Sequence, residues 1–312
     1  MIEIRSLTKR YDDTPVVNDV SLTVETGAIT AVVGPSGSGK STLLRMVNRL
    51  VEPTSGSVWI DGRDTTSFRD YELRRRIGYV IQGNGLFPHR TVARNIATVP
   101  KLLGWDRARI AKRVEGLMDA LDLDPAEFAN RRPRELSGGQ QQRVGIARAL
   151  AAEPSVLLMD EPFGALDPII RAKAQDDLLA IQRRFGATIM LVTHDMEEAF
   201  RLGQRIAVMA GGQLRQYGPP AELVTRPADP IVEKMVGGVE RPFRLLALAT
   251  VATAVELGEA ASEPISAGAS LQDALSRMIA TGAPALPVIG EDGNSLGRVT
   301  LTQVLALGRI AT

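Results

Sequence analysis

The chain has 312 residues, 44 % of them hydrophobic, with 37 Lys+Arg against 36 Asp+Glu for a net charge of +1, and it has no cysteine. That balance removes the broad positive field that sequence-independent binding of nucleic acid requires. The absence of cysteine removes disulfide scaffolds, thiolate nucleophiles and cysteine-ligated zinc or iron–sulfur centres, and fits a reducing, cytosolic address.

The first residues, Met1-Ile2-Glu3-Ile4-Arg5, lack the apolar core of a leader segment. Residues 28–33 read as a short β-type run that ends in a glycine loop, and the apolar stretch after that loop, 43–47, reads as helical. Residues 77–81 are strand-like. From about 88 to 150 the pattern is mainly helical: Ile110, Val114, Leu117, Met118 and Leu121 fall on one face of an amphipathic helix. Two further β-type runs, 155–159 and 188–192, each end in acidic or polar residues, as parallel strands do at a site edge. Between them 168–185 reads as a helix with Ile170, Ala174, Leu178 and Ile181 near one face. Residues 206–209 and 213–217 flank Gly211-Gly212, a hairpin signal. This alternation over the first 240 residues is that of a layered α/β domain with a helical insert.

Farther along, the apolar run 245–255 is 11 residues long and lies between Arg244 and Glu256. A helix needs about 20 to cross a bilayer, so any work at a membrane would need another chain for the span. From Glu263 the order is a polar entry, a helix-like 270–280, strand-like 285–289, a turn at Glu291-Asp292-Gly293-Asn294, strand-like 297–301 and a last helix. The expected division is an α/β domain over 1–236 with its helical subdomain at about 88–150, a linker at 237–259, and a small α+β domain over 260–312. No solenoid repeat or low-complexity tract is present.

Gly34-Pro35-Ser36-Gly37-Ser38-Gly39-Lys40-Ser41-Thr42 fits the pattern G-x-x-x-x-G-K-[ST] between an apolar strand and a helix, the context the motif requires. Its glycines let backbone N–H groups turn toward phosphate oxygens, and the helix start adds the positive end of its dipole. Lys40 would reach the β- and γ-phosphates, and the Ser41 hydroxyl would ligate Mg²⁺. The apolar strand before Asp160-Glu161 delivers two carboxylates: Asp160 to hold the metal, and Glu161 to polarise the attacking water. Leu136-Ser137-Gly138-Gly139-Gln140-Gln141-Gln142-Arg143 places a serine cap and two glycines at a helix start, which again suits an anion and equally suits a plain N-cap.

The phosphate loop, Leu136-Ser137-Gly138-Gly139-Gln140 and the strand ending in Asp160-Glu161, in that order, resemble the nucleotide-binding subunit of ATP-binding cassette (ABC) transporters over about 236 of the 312 residues. The resemblance implies an α/β P-loop NTPase fold of RecA-like type with a helical subdomain, ATP and Mg²⁺ as ligands, and a head-to-tail homodimer or heterodimer. In that dimer Ser137, Gly138 and Gly139, with Gln140 beside them, would meet the γ-phosphate held by the partner's loop. It further implies that Tyr11 stacks on adenine and that Gln82 touches Mg²⁺ and senses the transmembrane partner. Gly164-Ala165-Leu166-Asp167 would cross the dimer seam, and His194 would bond the γ-phosphate and support Glu161. His89, the other histidine, is left as structural or partner-facing.

Residues 73–82, Gly85-Leu86-Phe87-Pro88-His89, Asn95-Ile96-Ala97-Thr98-Val99-Pro100 and Thr193-His194-Asp195-Met196-Glu197-Glu198-Ala199 resemble the ATPase subunits of osmoprotectant importers, which take up glycine betaine, choline, carnitine or related quaternary amines. That implies a separate transmembrane permease docked on residues 83–99, beside Phe87 and Ile96, and a periplasmic or lipid-anchored solute-binding protein. It places the chain on the cytoplasmic face of the membrane, with no nucleic-acid partner. In this chain Gly83 follows the sensing glutamine, where the subfamily more often has a bulkier or polar residue. Importers of other small solutes and soluble ABC ATPases of DNA repair or the ribosome are the competing readings. The single cassette and the short insert between phosphate loop and signature weigh against the soluble ones. The tail resembles a single cystathionine-β-synthase (CBS) motif through Gly282-Ala283-Pro284-Ala285-Leu286-Pro287-Val288 and Gly297-Arg298-Val299-Thr300. Adenosine-binding versions often carry an acid three residues after the threonine, where this chain has Gln303, which favours a structural or regulatory contact over a bound nucleotide. From Val255 on, six acids face three arginines, so the tail is no cationic patch for anionic lipid.

Overall fold

A computed structural model describes residues 1–83, 85–164 and 166–309. Asn84 in the segment after Gln82, Ala165 in the expected seam loop, and the last three residues of the expected tail motif lie outside the described residues. The chain divides into two compact units, Met1–Tyr217 and Gly218–Thr312.

Among the described residues the first unit is built on ten strands: β1 (Ile2–Tyr11), β2 (Thr14–Val24), β3 (Ile29–Val33), β4 (Ser55–Ile60), β5 (Arg63–Asp64), β6 (Ile77–Val80), β7 (Val156–Asp160), β8 (Thr188–Val192), β9 (Arg205–Ala210) and β10 (Gln213–Gly218, its last residue falling in the second unit). A six-stranded sheet has the order β10-β9-β3-β8-β7-β6. The pairs β3–β8, β3–β9, β7–β8 and β6–β7 are all parallel. Every residue of β3, β7 and β8 is buried, which is why these strands read as mainly apolar runs and not as alternation. Their carboxyl ends are level: Val32 pairs with Val192, and Val192 with Asp160. The loops after β3, β6, β7 and β8 therefore meet along one edge of the sheet, where ligands of open α/β sheets bind.

The helix Pro168–Phe185 spans the expected residues for local reasons. Asp167 Oδ1 accepts from the backbone N–H of Ile169 and Ile170, proline occupies the first turn, and Gly186 closes the helix at a φ of 61°. The helical insert holds the helices Val92–Ile96, Thr98–Leu102, Arg107–Ala120, Pro125–Phe128 and Gly138–Leu150. Its amphipathic face, Ile110, Val114, Leu117, Met118 and Leu121, is buried in the same core as Val80, Leu157 and Leu191.

The second sheet, β2-β1-β4-β5, is antiparallel throughout and was not foreseen from the sequence. Its strands carry register shifts between Ile4 and Leu7 and between Leu7 and Lys9, and Ser6 and Asp19 take positive φ values of 46° and 51°. Such bulges break the alternation that marks a half-buried strand.

The second unit has its own core, in which Leu246, Val251 and Ala254 pack with Ile265, Leu271, Met278, Leu286, Val288, Val299 and Val304. A three-stranded sheet joins β11 (Ile265–Ser266), β12 (Ala285–Ile289) and β13 (Ser295–Thr300) in that order. The helices Leu271–Thr281 and Leu301–Leu307 complete the expected helix–strand–strand–helix series. The unit begins well before the expected tail, and the stretch expected as a linker is folded into it. Arg241 makes the connection: its guanidinium donates to the carbonyls of Val224 at 2.7 Å and Thr225 at 3.3 Å and pairs with Glu233 at 2.9 Å. The apolar run 245–255 is likewise part of that core, and among the described residues no helix is long and apolar enough to cross a membrane.

Candidate functional site

The glycine loop leaves β3 and enters the helix Lys40–Val47. Two of its glycines are required by their surroundings. Gly34 has a φ of 156°, and a Cβ there would lie 2.1 Å from the Met209 carbonyl oxygen; Gly39, at a φ of 95°, would bring a Cβ to 2.4 Å from the Val16 carbonyl. Gly37 also takes a positive φ, and Ser36 and Gly37 are exposed on the outer turn of the loop. Lys40 Nζ donates to the carbonyls of Gly34 at 2.7 Å and Pro35 at 2.9 Å, so the ammonium lies over the loop's own concavity. Burial lowers its pKa, and the nearby Glu161 and Asp160 carboxylates oppose that shift. Ser38 Oγ is buried with no hydrogen-bond partner. A concavity with an inward ammonium, an uncommitted buried hydroxyl and Thr42 on the first helical turn has the donors that a polyphosphate takes up.

Ser41 Oγ donates to Asp160 Oδ1 at 2.8 Å, joining the helix start to the end of β7. Asp160 is buried, and Arg45 stands 3.6 Å from its other oxygen. A hydroxyl and a carboxylate in contact beside a phosphate cradle form the hard-oxygen donor set that suits Mg²⁺, which is held by few protein ligands and completes its shell from phosphate and water. No group of three or more His, Cys, Asp or Glu exists among the described residues to hold a metal by protein ligands alone.

Glu161 follows with a φ of 46°, an unusual value for a residue with a side chain, and its N–H is tied to the Val192 carbonyl at 2.9 Å. That turn sets its carboxylate between two neighbours. Gln82 Nε2 donates to Glu161 Oε2 at 3.2 Å, and His194 Nδ1 lies 3.5 Å from the same oxygen. Residues from the ends of β6, β7 and β8 thus converge on one oxygen. A carboxylate so placed can accept a proton from water while the amide and imidazole hold its direction.

The structure brings Lys40, Ser41, Gln82, Asp160, Glu161 and His194 together. Ser137, Gly138, Gly139 and Asp167 form a second cluster instead. Ser137 Oγ caps the helix Gly138–Leu150 by accepting from Gln140 N–H, and Gln140 returns a side-chain bond to Ser137 N–H. A Cβ on Gly138 would touch Leu166 at 3.6 Å, and one on Gly139 would meet Ile170 at 2.6 Å. Tyr11, expected as an adenine platform, ends β1 as a residue 49 % exposed, with Lys9 5.0 Å from its ring centroid, so it is no core tyrosine. His89 is exposed, its ring 6.0 Å from that of Phe87. Beside Phe87, a groove of about 410 Å³ is lined by Ile81, Gly85, Thr98, Val99 and Arg148.

Sequence reasoning passed over Arg45 and Glu198. Glu198 is buried in the first turn of the helix Met196–Leu202, four residues before buried Leu202 and beside buried Ala199. A carboxylate on the apolar face of a helix was the available signal. Burial pushes its pKa up to about 7, against the hydrogen bond it accepts from Thr193.

In the second unit Gln303 stands where adenosine-binding versions of the motif often carry an acid, and it is engaged within the fold. Thr300 and Gln303 close a capping box on the last helix, and Gln303 Nε2 donates to Glu256 at 2.8 Å.

Comparison with known proteins places these features in company. The model of a family described as ABC transporter matches residues 17–164. The glycine betaine uptake system ATP-binding protein YehX of Escherichia coli (strain K12) is 47 % identical over 306 residues, which cover 98 % of this chain and 99 % of that protein. The osmoprotectant import ATP-binding protein OsmV of Salmonella typhimurium is 44 % identical over 304 residues, 96 % of this chain and 79 % of that one. Among solved structures, a dimeric ATP-binding cassette in a post-hydrolysis state, bound to ADP and Pi, matches with a TM-score of 0.62 and 34 % identity over 70 % of this chain and 98 % of that one.

Proposed function

The chain belongs to the ABC transporter family, and from that premise we propose that it is the ATP-hydrolysing subunit that powers import of a quaternary-amine osmoprotectant, of the glycine betaine, choline or carnitine type, through a separate transmembrane permease. The observation that carries the chemistry is the Glu161 carboxylate held between Gln82 and His194, beside the Ser41–Asp160 pair. The solute class rests on the 47 % identity to a glycine betaine uptake subunit over nearly the whole chain.

In this reading the loop 34–42 cradles the phosphates of ATP, Lys40 neutralises charge on the β- and γ-phosphates, and Tyr11 stacks on the adenine. Ser41, Asp160 and Gln82 would hold Mg²⁺, which when bound would supply charge neutralisation on the phosphates. Glu161 accepts the proton of the attacking water, and His194 orients Glu161 and contacts the γ-phosphate. Ser137, Gly138 and Gly139 serve a second copy. Standing apart from this chain's own loop, they close over ATP held by a partner in a head-to-tail homodimer or heterodimer, with Asp167 at the seam. ATP favours the closed dimer, and hydrolysis returns it to the open one. The permease docks in the groove beside Phe87, which keeps the subunit at the cytoplasmic face of the membrane, while a solute-binding protein delivers the osmoprotectant outside. The tail over 260–312 acts as a CBS-like regulatory contact.

Purified chain with Mg²⁺ and ATP should release phosphate, and the chain should co-purify with a membrane protein from detergent-solubilised membranes of its native cell. Recovery with RNA and no membrane protein would sink the transport reading.

A further inference from the structure

His194 is exposed, yet the residues on either side of it are pinned. Thr193 is buried; its N–H bonds the Val32 carbonyl at 3.0 Å, one residue from the phosphate-loop strand's end, and its Oγ1 donates to Glu198 Oε2 at 2.7 Å. Asp195 N–H donates back to Thr193 Oγ1 at 3.1 Å, and Asp195 Oδ1 caps the next helix through the N–H groups of Glu197 and Glu198. Asp195 Oδ2 also lies 3.8 Å from the guanidinium of Arg171, which donates to the Leu166 carbonyl at 2.9 Å.

Glu198 anchors this knot at a cost to the fold. It is 5 % exposed, and its Oε1 is buried with no hydrogen-bond partner. A half-satisfied buried carboxyl costs free energy that an apolar side chain of similar volume would not. Stability alone gives no reason for it, whereas its place one hydroxyl away from the histidine turn does.

We propose that Glu198 is a positioning residue for ATP hydrolysis: through the Thr193 hydroxyl it fixes the backbone turn that carries His194 toward Glu161. The proposal rests on the hydrolytic roles given above to Glu161 and His194. It requires no contact between Glu198 and nucleotide, so its loss slows turnover and spares ATP binding.

The test is steady-state MgATP hydrolysis by the full chain as wild type, H194A, E198A, E198Q, T193V and T193S, with thermal melts to establish folding. E198A should lower kcat about tenfold to a hundredfold, the scale of a small misplacement of a reacting group, with KM for ATP within about twofold. E198Q keeps an oxygen to accept the Thr193 hydroxyl and should restore most of the rate. T193V should follow E198A and T193S the wild type, and this pair decides the matter if E198A does not fold. H194A should be slow. If it is slow while folded E198A or T193V turns over like wild type, or if E198A raises KM and leaves kcat, the positioning role is overturned. If H194A itself hydrolyses at the wild-type rate, the hydrolytic reading fails first, and the role of Glu198 with it.

Discussion

Replacing Glu198 by glutamine should make the protein's stability less dependent on pH, and the size of the effect follows from the structure. Burial lifts the Glu198 pKa from an ordinary value near 4.5 to about 7, so between those values the folded protein holds a proton that the unfolded chain releases. Because the folded value is raised, the associated stability is full below pH 4.5 and is lost as pH rises through 7. At 1.36 kcal/mol per unit the whole swing is about 3 kcal/mol, most of it between pH 5 and 8. Glutamine has the same shape and no proton to lose. Both tryptophans, Trp59 and Trp105, lie in the unit that holds Glu198, so their emission reports its unfolding in urea and not that of the second unit. The stability difference, wild type minus E198Q, should fall by about 2–3 kcal/mol from pH 5 to pH 8. A difference that stays flat over that range would refute the argument that burial keeps this carboxyl protonated.

Other consequences are smaller in scope. Gly39→Ala would drive a Cβ toward the Val16 carbonyl at an unfavourable φ; strain of about 1–3 kcal/mol should appear as a lowered Tm and weaker binding of a fluorescent ATP analogue. Ser41→Ala should raise the Mg²⁺ concentration for half-maximal hydrolysis about tenfold or more, measured by titrating Mg²⁺ at saturating ATP, and an unchanged requirement would remove Ser41 from the metal site. Phe87→Asp in the groove beside Gly85 and Val99 should cut recovery of the permease in pull-downs while phosphate release by the isolated subunit persists.

Much of the site was legible because its chemistry is local. A phosphate loop is a contiguous motif with a mechanism, and β7 and β8 announce themselves as apolar runs ending in Asp160-Glu161 and in Thr193-His194. The helix Pro168–Phe185 was readable to the residue because its cap, its proline and Gly186 are all local signals. What escaped is what folding assembles at a distance or what breaks a period. The antiparallel sheet was hidden by bulges and left-handed residues at Ser6 and Asp19. The second unit's early start was hidden because Arg241 reaches back to Val224, Thr225 and Glu233, which no periodicity encodes. Glu198 escaped because a lone glutamate in a first helical turn reads as ordinary helix chemistry until its burial is known.

The central claim, that hydrolysis at Glu161 drives uptake, is tested most directly by the uptake of labelled glycine betaine, choline and carnitine. The assay uses proteoliposomes carrying the cognate permease, loaded with MgATP and supplied with the solute-binding protein, with wild-type chain or Glu161→Gln. The account predicts ATP-dependent accumulation of at least one of these solutes with the wild type and essentially none with the variant, which still binds ATP. Accumulation at the wild-type rate with Glu161→Gln would contradict it.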